Sequence, residues 1–296
     1  MRARTPAALA LDVSLAHGEG HRAAVRKLSE LRRKRRRENL GGIISNEFII
    51  LELARFLQIA FPEGGDALLD VGAGTRPYAP LYERRFRTSL STDVGDSLHD
   101  TSSVDVLAPA ADLPFDDASF DCVVCTEVLE HCPDPWAAGA EIARVLRPGG
   151  WAFVSTPFLR PLHEAPHDYH RFTPWGLTEL AKRCGLTVER IAPRGDYVAV
   201  FLMTLLLPIS KFWLLMSRWL GVDVYRPANP LAWASIVAPQ RAYVAAWSSA
   251  QRRNGWMRRI SQRLEYYTLG YVMWARKPNG SSIGGSAQPS PASARS

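Results

Sequence analysis

The chain has 296 residues, and its 36 Lys and Arg against 29 Asp and Glu give a formal net charge of +7. The charge is segregated: residues 1–37 carry 11 basic and 3 acidic side chains, residues 38–134 carry 5 and 18, and residues 135–296 carry 20 and 8. A net-charge argument for a nucleic-acid partner is weak, because the basic residues lie at the two ends. Hydrophobic residues make up 47% of the chain, which excludes a disordered protein.

Four cysteines in a chain of this length exclude a disulfide scaffold. The N-terminus lacks the apolar core of a signal peptide. The longest apolar stretches without charge, Tyr197–Ser210 and Pro227–Gln240, have 14 residues each, whereas a bilayer-spanning helix needs about 20 apolar residues. We therefore expect a reduced, cytoplasmic chain.

The first segment is a basic arm over residues 1–40, which contains the run Arg32–Arg37 and precedes an amphipathic helix over Ile43–Phe61. From residue 67 onward, apolar strands alternate with helices, which is typical of a doubly wound α/β sheet covered on both faces. The predicted strands are Ala67–Val71, Leu90–Val94, Val104–Leu107, Phe120–Cys125 and Trp151–Ser155. The predicted helices are 78–86, Pro135–Leu146 and one that follows the cap Thr173-Pro174 and ends at Gly185, with a turn at Arg147–Gly150.

The composition changes after residue 196 and divides the chain. Residues 41–196 form the predicted core, residues 267–277 return as its last strand, and residues 278–296 are a predicted disordered tail. The insert over residues 197–266 is apolar and rich in tryptophan. Two interpretations stay open for it: a surface in the lipid headgroup zone, or a helical cap that shapes the substrate pocket.

A glycine turn follows the first strand of the core. Asp70, Gly72 and Gly74 lie where a buried strand ends, and two glycines let the backbone pass close to a ligand. Pro77 stands where a dinucleotide fingerprint needs its third glycine, which disfavours NAD and FAD. Asp93, 19 residues past Gly74, is placed to accept ribose hydroxyls. Together these residues predict a cofactor that contains a nucleoside.

Five motifs in order resemble those of the class I S-adenosylmethionine-dependent methyltransferases, over about residues 65–195. They are Leu69–Tyr78, Asp93, Leu113–Asp121, Glu127–His131 and Val145–Gly150. The resemblance implies a Rossmann-like, mostly parallel seven-stranded sheet. It also implies that Asp70, Gly72 and Gly74 surround the methionine part of S-adenosylmethionine, that Asp93 binds the ribose, and that Asp112 and Leu113 flank the adenine. Arg76 and Pro109 depart from the family pattern.

Two clusters of polar residues are candidates for the chemistry. Glu127, Glu130 and His131 have helical spacing, which predicts one shared face. A later loop contains His163, His167, Asp168, His170 and Arg171. In one hypothesis, His131 or a loop histidine such as His167 or His170 is the general base, assisted by Glu127. In the other, a divalent metal is held by Glu127, Glu130, His131 and His170, an arrangement that resembles metal-assisted methyltransferases acting on ribose or catechol-type hydroxyls.

Three cysteines lie near these residues, but they do not predict a zinc site. Cys122 and Cys125 are on one buried strand, and their odd separation points them to opposite faces. We interpret them, with Cys132, as core residues.

The sequence as a whole predicts a methyltransferase that modifies a hydroxyl oxygen of a small or lipid-linked acceptor. Peripheral contact with the cytoplasmic membrane face through residues 197–266 and Arg32–Arg37 accompanies this prediction. Two alternatives stay open: an RNA 2′-O-type methyltransferase, disfavoured because no RNA-binding motif accompanies the basic run, and a non-catalytic module that keeps the cofactor pocket.

Overall fold

The computed structural model describes residues 43–220, 234–235, 238–252 and 267–279. The predicted basic arm with Arg32–Arg37 lies outside the described residues, as do most of the predicted tail and the stretches 221–233, 236–237 and 253–266 of the insert. The described residues comprise the core, two helices of the insert and the last strand.

Seven strands form one sheet. In chain order they are β1 (Gly65–Val71), β2 (Phe86–Asp93), β3 (Val106–Leu107), β4 (Phe120–Thr126), β5 (Leu146–Pro157), β6 (Thr187–Pro193) and β7 (Gly270–Arg276). Their spatial order is β3-β2-β1-β4-β5-β7-β6, in which the first five run parallel and β7 is antiparallel to both of its neighbours. This confirms the predicted Rossmann-like, mostly parallel fold of seven strands.

The helices cover both faces of the sheet. They are α1 (Ile43–Ala60), α2 (Ala79–Tyr82), α3 (Pro135–Val145), α4 (Pro174–Arg183), α5 (Tyr197–Leu220) and α6 (Ala238–Arg252). Side chains of α1 pack on one face with Cys122, and those of α3 and α4 pack on the other with Cys125. Because β4 is buried on both faces, its sequence is almost continuously apolar. The two cysteines are free and buried on opposite faces, as predicted.

Local signals fix the ends of several elements. Thr173 accepts the backbone N–H of Gly176 and caps α4, and Gly185 follows this helix with a positive φ of 74°, both as predicted. Two predictions were wrong in extent. The helix expected over 78–86 is only the single turn α2, because β2 already begins at Phe86. The segment Arg147–Gly150, predicted as a turn, lies within β5, where a shift in the pairing with β4 accommodates the extra residues.

The described helices of the insert lie between β6 and β7, as predicted. Phe48 of α1 meets Trp247 of α6 edge to face, with ring centroids 4.8 Å apart, and Met203 of α5 is buried in the same cluster. One side of the insert thus packs on the core. None of the described helices is long and apolar enough to cross a membrane.

The sheet has a topological switch point between β1 and β4. From β1 the chain runs outward through β2 and β3, whereas β4 and β5 lie on the other side of β1. In open α/β sheets, ligands bind in the crevice at such a point, beyond the carboxyl ends of the strands. The residues that follow β1, β2, β4 and β5 therefore surround the candidate site.

Candidate active site

The glycine turn after β1 is joined to the end of β2. The backbone N–H of Gly74 donates a 2.7 Å hydrogen bond to Oδ2 of Asp93, and Oδ1 of the same carboxylate accepts the N–H of Val94. Gly72 and Gly74 have φ values of 67° and 51°, a left-handed conformation that favours glycine. A Cβ on Gly72 would lie 2.3 Å from a methyl of Val128, so this glycine makes room for a neighbouring side chain.

Asp70 lies at the buried end of β1, and its side chain is only partly satisfied. Oδ2 accepts the hydroxyl hydrogen of Tyr82, whereas Oδ1 has no hydrogen-bond partner among the described residues. Burial raises the pKa of Asp70 to about 7. A buried carboxylate with an open oxygen is suited to a cationic group of a ligand.

Arg76 departs from the family pattern in its side chain but not in its backbone. Its φ is 53°, so the position keeps the left-handed conformation that glycine favours. The guanidinium is directed to Glu83, at 3.3 Å, and to the carbonyl of Ser103. It therefore ties the turn to two neighbouring segments.

The predicted adenine-flanking residues lie on a braced loop. Asp112 is exposed and Leu113 is buried. The N–H of Leu113 donates to Glu141, and its carbonyl accepts from Arg144. Sequence reasoning missed this bracing pair, although its spacing on α3 is a known signal for an ion pair.

Glu130, His131 and His163 come together beyond the ends of β4 and β5. Their ligating atoms all lie within 4.8 Å of one another. Oε1 of Glu130 is 3.6 Å from Nε2 of His131 and 4.0 Å from Nε2 of His163. Glu130 is 0% exposed, and neither of its oxygens has a hydrogen-bond partner in the described part of the chain. Burial, reinforced by the charge of Glu127, raises the pKa of Glu130 well above its ordinary value.

Both imidazoles have a polar neighbour beside the nitrogen that faces away from Glu130, and for His131 this contact is a hydrogen bond. Nδ1 of His131 lies 2.7 Å from the carbonyl oxygen of His167, and Nδ1 of His163 lies 3.2 Å from Oδ2 of Asp168. Asp168 is in turn held by the guanidinium of Arg171. Burial and the charge of Arg160 lower the pKa of His163, which favours the neutral ring. His163 and Asp168 were visible in the sequence only as members of a polar loop.

Glu127 has different surroundings from Glu130. It has a φ of 56° and precedes a 3-10 turn over Leu129–His131, so the predicted single helical face does not form. Its carboxylate lies 2.9 Å from Arg160 and 3.0 Å from the fully buried Arg194. Although burial opposes its charge, the two arginines hold the pKa of Glu127 below its ordinary value. The two arginines, which sequence reasoning missed, thus engage a residue predicted as catalytic and metal-binding.

His167 and His170 lie outside the group of Glu130, His131 and His163. The ring of His167 is exposed and contacts the hydroxyl of Tyr169, at 3.1 Å, while its backbone carbonyl supports His131. The ring of His170 packs beside Trp136 and Phe172. The structure thus gathers two of the four predicted metal ligands, and His163 joins them in place of Glu127 and His170.

Glu164 connects this cluster to the glycine turn. One of its oxygens lies 3.1 Å from Nε2 of His99, and the other lies 3.6 Å from Nε2 of His131. A Cβ on Gly74 would lie 3.5 Å from Cβ of His99. The polar cluster and the turn therefore border the same crevice.

Comparisons with known proteins agree with this arrangement. A family model described as a methyltransferase domain matches residues 69–154. The chain is 27% identical to a ubiquinone biosynthesis O-methyltransferase of Thiobacillus denitrificans over 165 residues, or 46% of this chain and 71% of that protein. It is 37% identical to an uncharacterized methyltransferase of a Mycobacterium species over 105 residues, or 33% of this chain and 42% of the relative.

Among solved structures, a phosphoethanolamine N-methyltransferase of Haemonchus contortus in complex with S-adenosyl-L-methionine is similar at a TM-score of 0.45 and 16% identity. The match covers 77% of this chain and 52% of that one. The matched family model shows a methyltransferase domain over residues 69–154, and the five ordered motifs, on a sheet whose glycine turn lies at the switch point, identify this domain as one of the class I S-adenosylmethionine-dependent type.

Proposed function

We propose that the protein transfers a methyl group from S-adenosylmethionine to a hydroxyl oxygen of a small or lipid-linked acceptor. The observation that carries this proposal is the position of Glu130, His131 and His163 beside the glycine turn, to which Glu164 and His99 connect them. A hydroxyl is a poor nucleophile until its proton is removed, and proton-accepting groups beside the glycine turn can remove it.

The residues at the turn fit the cofactor. The open oxygen of Asp70 suits the ammonium of the methionine part. Each oxygen of Asp93 accepts one backbone N–H, which leaves lone pairs for the ribose hydroxyls. When bound, S-adenosylmethionine supplies a methyl group on a sulfonium, which an acceptor oxygen takes as the carbon–sulfur bond breaks.

The remaining residues orient the acceptor and its proton. The contact of His131 Nδ1 with a carbonyl places the hydrogen on that nitrogen and leaves Nε2 as an acceptor. Arg160 and Arg194 fix Glu127 beside the cluster. We therefore assign proton removal to the cluster of Glu130, His131 and His163, and positioning to the Glu127 pairs.

A lipid-linked acceptor is supported by one face of α5. Val198, Phe201, Leu205, Phe212, Leu215 and Trp219 recur at helical spacing and are all exposed. Trp219 is 79% exposed at the end of this stripe. A long apolar face with a terminal tryptophan suits the boundary of headgroups and acyl chains. The Thiobacillus relative is named an O-methyltransferase of ubiquinone biosynthesis, which adds support for an oxygen atom as the methylated group.

The proposal is tested by incubating the purified chain with S-adenosylmethionine and separate acceptors: a catechol-type phenol, its polyprenyl-linked form, a lipid-linked glycan and RNA. The expected result is the gain of one methyl group on a hydroxyl-bearing small or lipid-linked acceptor, reduced about 100-fold or more in Glu130→Gln and His131→Ala. Glu179→Gln, which alters an exposed ion pair on α4, is the matched control. Methylation of RNA alone, or full activity in both variants, would contradict the proposal.

A further inference from the structure

Two arginines share one carboxylate beyond the ends of β4 and β5. Nη1 of Arg160 lies 2.9 Å from Oε2 of Glu127, and Nη2 of Arg194 lies 3.0 Å from Oε1 of the same side chain. One negative charge therefore faces two positive charges. We propose that Arg160 binds an oxyanion of the acceptor, a carboxylate or a phosphate, and that the protein thereby selects anionic acceptors.

The excess of positive charge is the first argument. The nearby acidic side chains are engaged elsewhere: Asp168 accepts two hydrogen bonds from Arg171, and Glu164 lies beside two histidines. Glu130 is fully buried, and its raised pKa favours the neutral carboxyl. In the described part of the chain, Arg160 thus has Glu127 as its one carboxylate partner, which it shares. An anionic ligand would balance the remaining charge.

The accessible edge of Arg160 is the second argument. Its Nη1 donates to Glu127, whereas Nε and Nη2 have no hydrogen-bond partner among the described residues. Its side chain is 21% exposed. Arg194, by contrast, is fully buried and donates to the carbonyl of Thr156. Because a guanidinium presents parallel donors to a carboxylate or phosphate, Arg160 is the member of the pair that a ligand can reach.

The position of Arg160 is the third argument. It lies on the loop that follows β5, three residues before His163, and its charge contributes to the lowered pKa of that imidazole. The same loop carries Glu164, which contacts His99 beside the glycine turn. An oxyanion held by Arg160 would fix the acceptor at a point away from its reacting hydroxyl and orient it. This inference rests on the proposed function, because it names the class of acceptor for the same site.

The test is the binding of matched anionic and neutral probes to the full chain, without a methyl donor, so that no transfer is required. A dihydroxybenzoate is compared with its carboxamide, and farnesyl phosphate with farnesol, each by calorimetry. We expect an anionic probe to bind about tenfold or more tightly than its neutral counterpart, because charge-assisted hydrogen bonds are gained. The pair with the larger ratio of affinities identifies the oxyanion as a carboxylate or a phosphate.

Substitutions assign this preference to Arg160. Arg160→Gln should lower the affinity for the anionic probe about tenfold or more and leave that for the neutral probe within about twofold. Arg160→Lys keeps the charge beside Glu127 but loses the planar fork, so it should restore part of the preference. Arg183→Gln, which removes a guanidinium from an exposed ion pair on α4, is the matched control and should keep the wild-type ratio. Circular dichroism checks that each variant is folded.

Equal affinity of the wild type for the anionic and neutral members of both pairs, or no binding of either anion, would overturn the inference. An equal loss of anionic and neutral binding in both Arg160 variants would also overturn it, because that result indicates a structural role through Glu127. Methylation of neutral and anionic acceptors at equal rates would leave the proposed function standing while this inference fails. Anion binding that depends on Arg160, without methylation of any hydroxyl, would support the binding site and contradict the proposed function.

Discussion

The backbone N–H of Gly74 donates a 2.7 Å hydrogen bond to Oδ2 of Asp93, which joins the turn after β1 to the end of β2. The two glycines of this turn have different tasks. Gly72 makes room for Val128, whereas a Cβ on Gly74 would make only an ordinary contact of 3.5 Å with His99. One glycine serves packing, and the other borders the crevice.

Alanine substitutions should separate these tasks. Gly72→Ala is expected to lower the free energy of unfolding by about 2–4 kcal/mol, because backbone strain adds to overpacking against Val128. Gly74→Ala should cost about 1 kcal/mol, from backbone strain alone. Urea unfolding measures both, and equal losses would contradict the distinction.

The buried carboxyl of Asp70 should make stability depend on pH. Its folded pKa is about 7, against 3.8 for the ordinary group, so the folded chain keeps a proton that the unfolded chain releases. The contribution is fully present below about pH 4 and is lost as the pH rises through about 7. Without cofactor at pH 8, Asp70→Asn should be more stable than the wild type by up to about 4 kcal/mol.

At pH 4 the same two proteins should differ little in their free energies of unfolding. Asp116→Asn, an exposed carboxylate on the 113–117 loop, is the control and should match the wild type at both pH values. A difference between Asp70→Asn and wild type that stays constant from pH 4 to pH 8 would refute the assignment.

Loss of the Glu127 charge should destabilise the fold, because the fully buried Arg194 would lose its carboxylate partner. Breaking a buried pair from one side typically costs about 3–5 kcal/mol. Because Arg194 keeps its bond to the carbonyl of Thr156, we expect about 2–4 kcal/mol for Glu127→Gln. Thermal and urea unfolding check this value, and Glu179→Gln should stay within about 0.5 kcal/mol of wild type. An unchanged free energy of unfolding in Glu127→Gln would show that the ion pairs of Glu127 do not stabilise the fold.

The exposed face of α5 should bind anionic lipid. Phe201→Ser combined with Trp219→Ser removes two apolar groups that are 53% and 79% exposed, so the fold should be unaffected. Sedimentation with phosphatidylglycerol-containing vesicles should fall by about tenfold or more in this variant. Trp175→Ser, which removes an exposed tryptophan of α4, should bind vesicles as the wild type does. Equal sedimentation of all three proteins would rule out this face as the lipid contact.

Local sequence patterns were sufficient to predict much of the fold and the edge of the sheet at which the glycine turn lies. The alternation of apolar strands and helices predicts the sheet, and strand ends in a parallel sheet meet at one edge, which is why Gly74 and Asp93 could be placed together. The N-cap at Thr173 and the burial of Cys122 and Cys125 on opposite faces of the sheet also followed from local sequence rules.

The grouping of Glu130, His131 and His163 could not be predicted from spacing along the sequence. Helical spacing predicted a shared face for Glu127 and Glu130, but the left-handed backbone of Glu127 turns its carboxylate to Arg194, 67 residues away. His163 reaches Glu130 from a loop whose path is set by contacts such as that between Asp168 and Arg171. Such pairings arise from tertiary packing between distant segments and leave no periodic signal.

Calorimetry with S-adenosylmethionine on wild type, Asp93→Asn and Asp116→Asn tests most directly whether the donor lies at the turn after β1. We predict one molecule bound per chain, an affinity lowered tenfold or more in Asp93→Asn because a charged acceptor of hydrogen bonds is lost, and no change in Asp116→Asn. Absence of binding by the wild type, or equal affinity of all three proteins, would contradict the account.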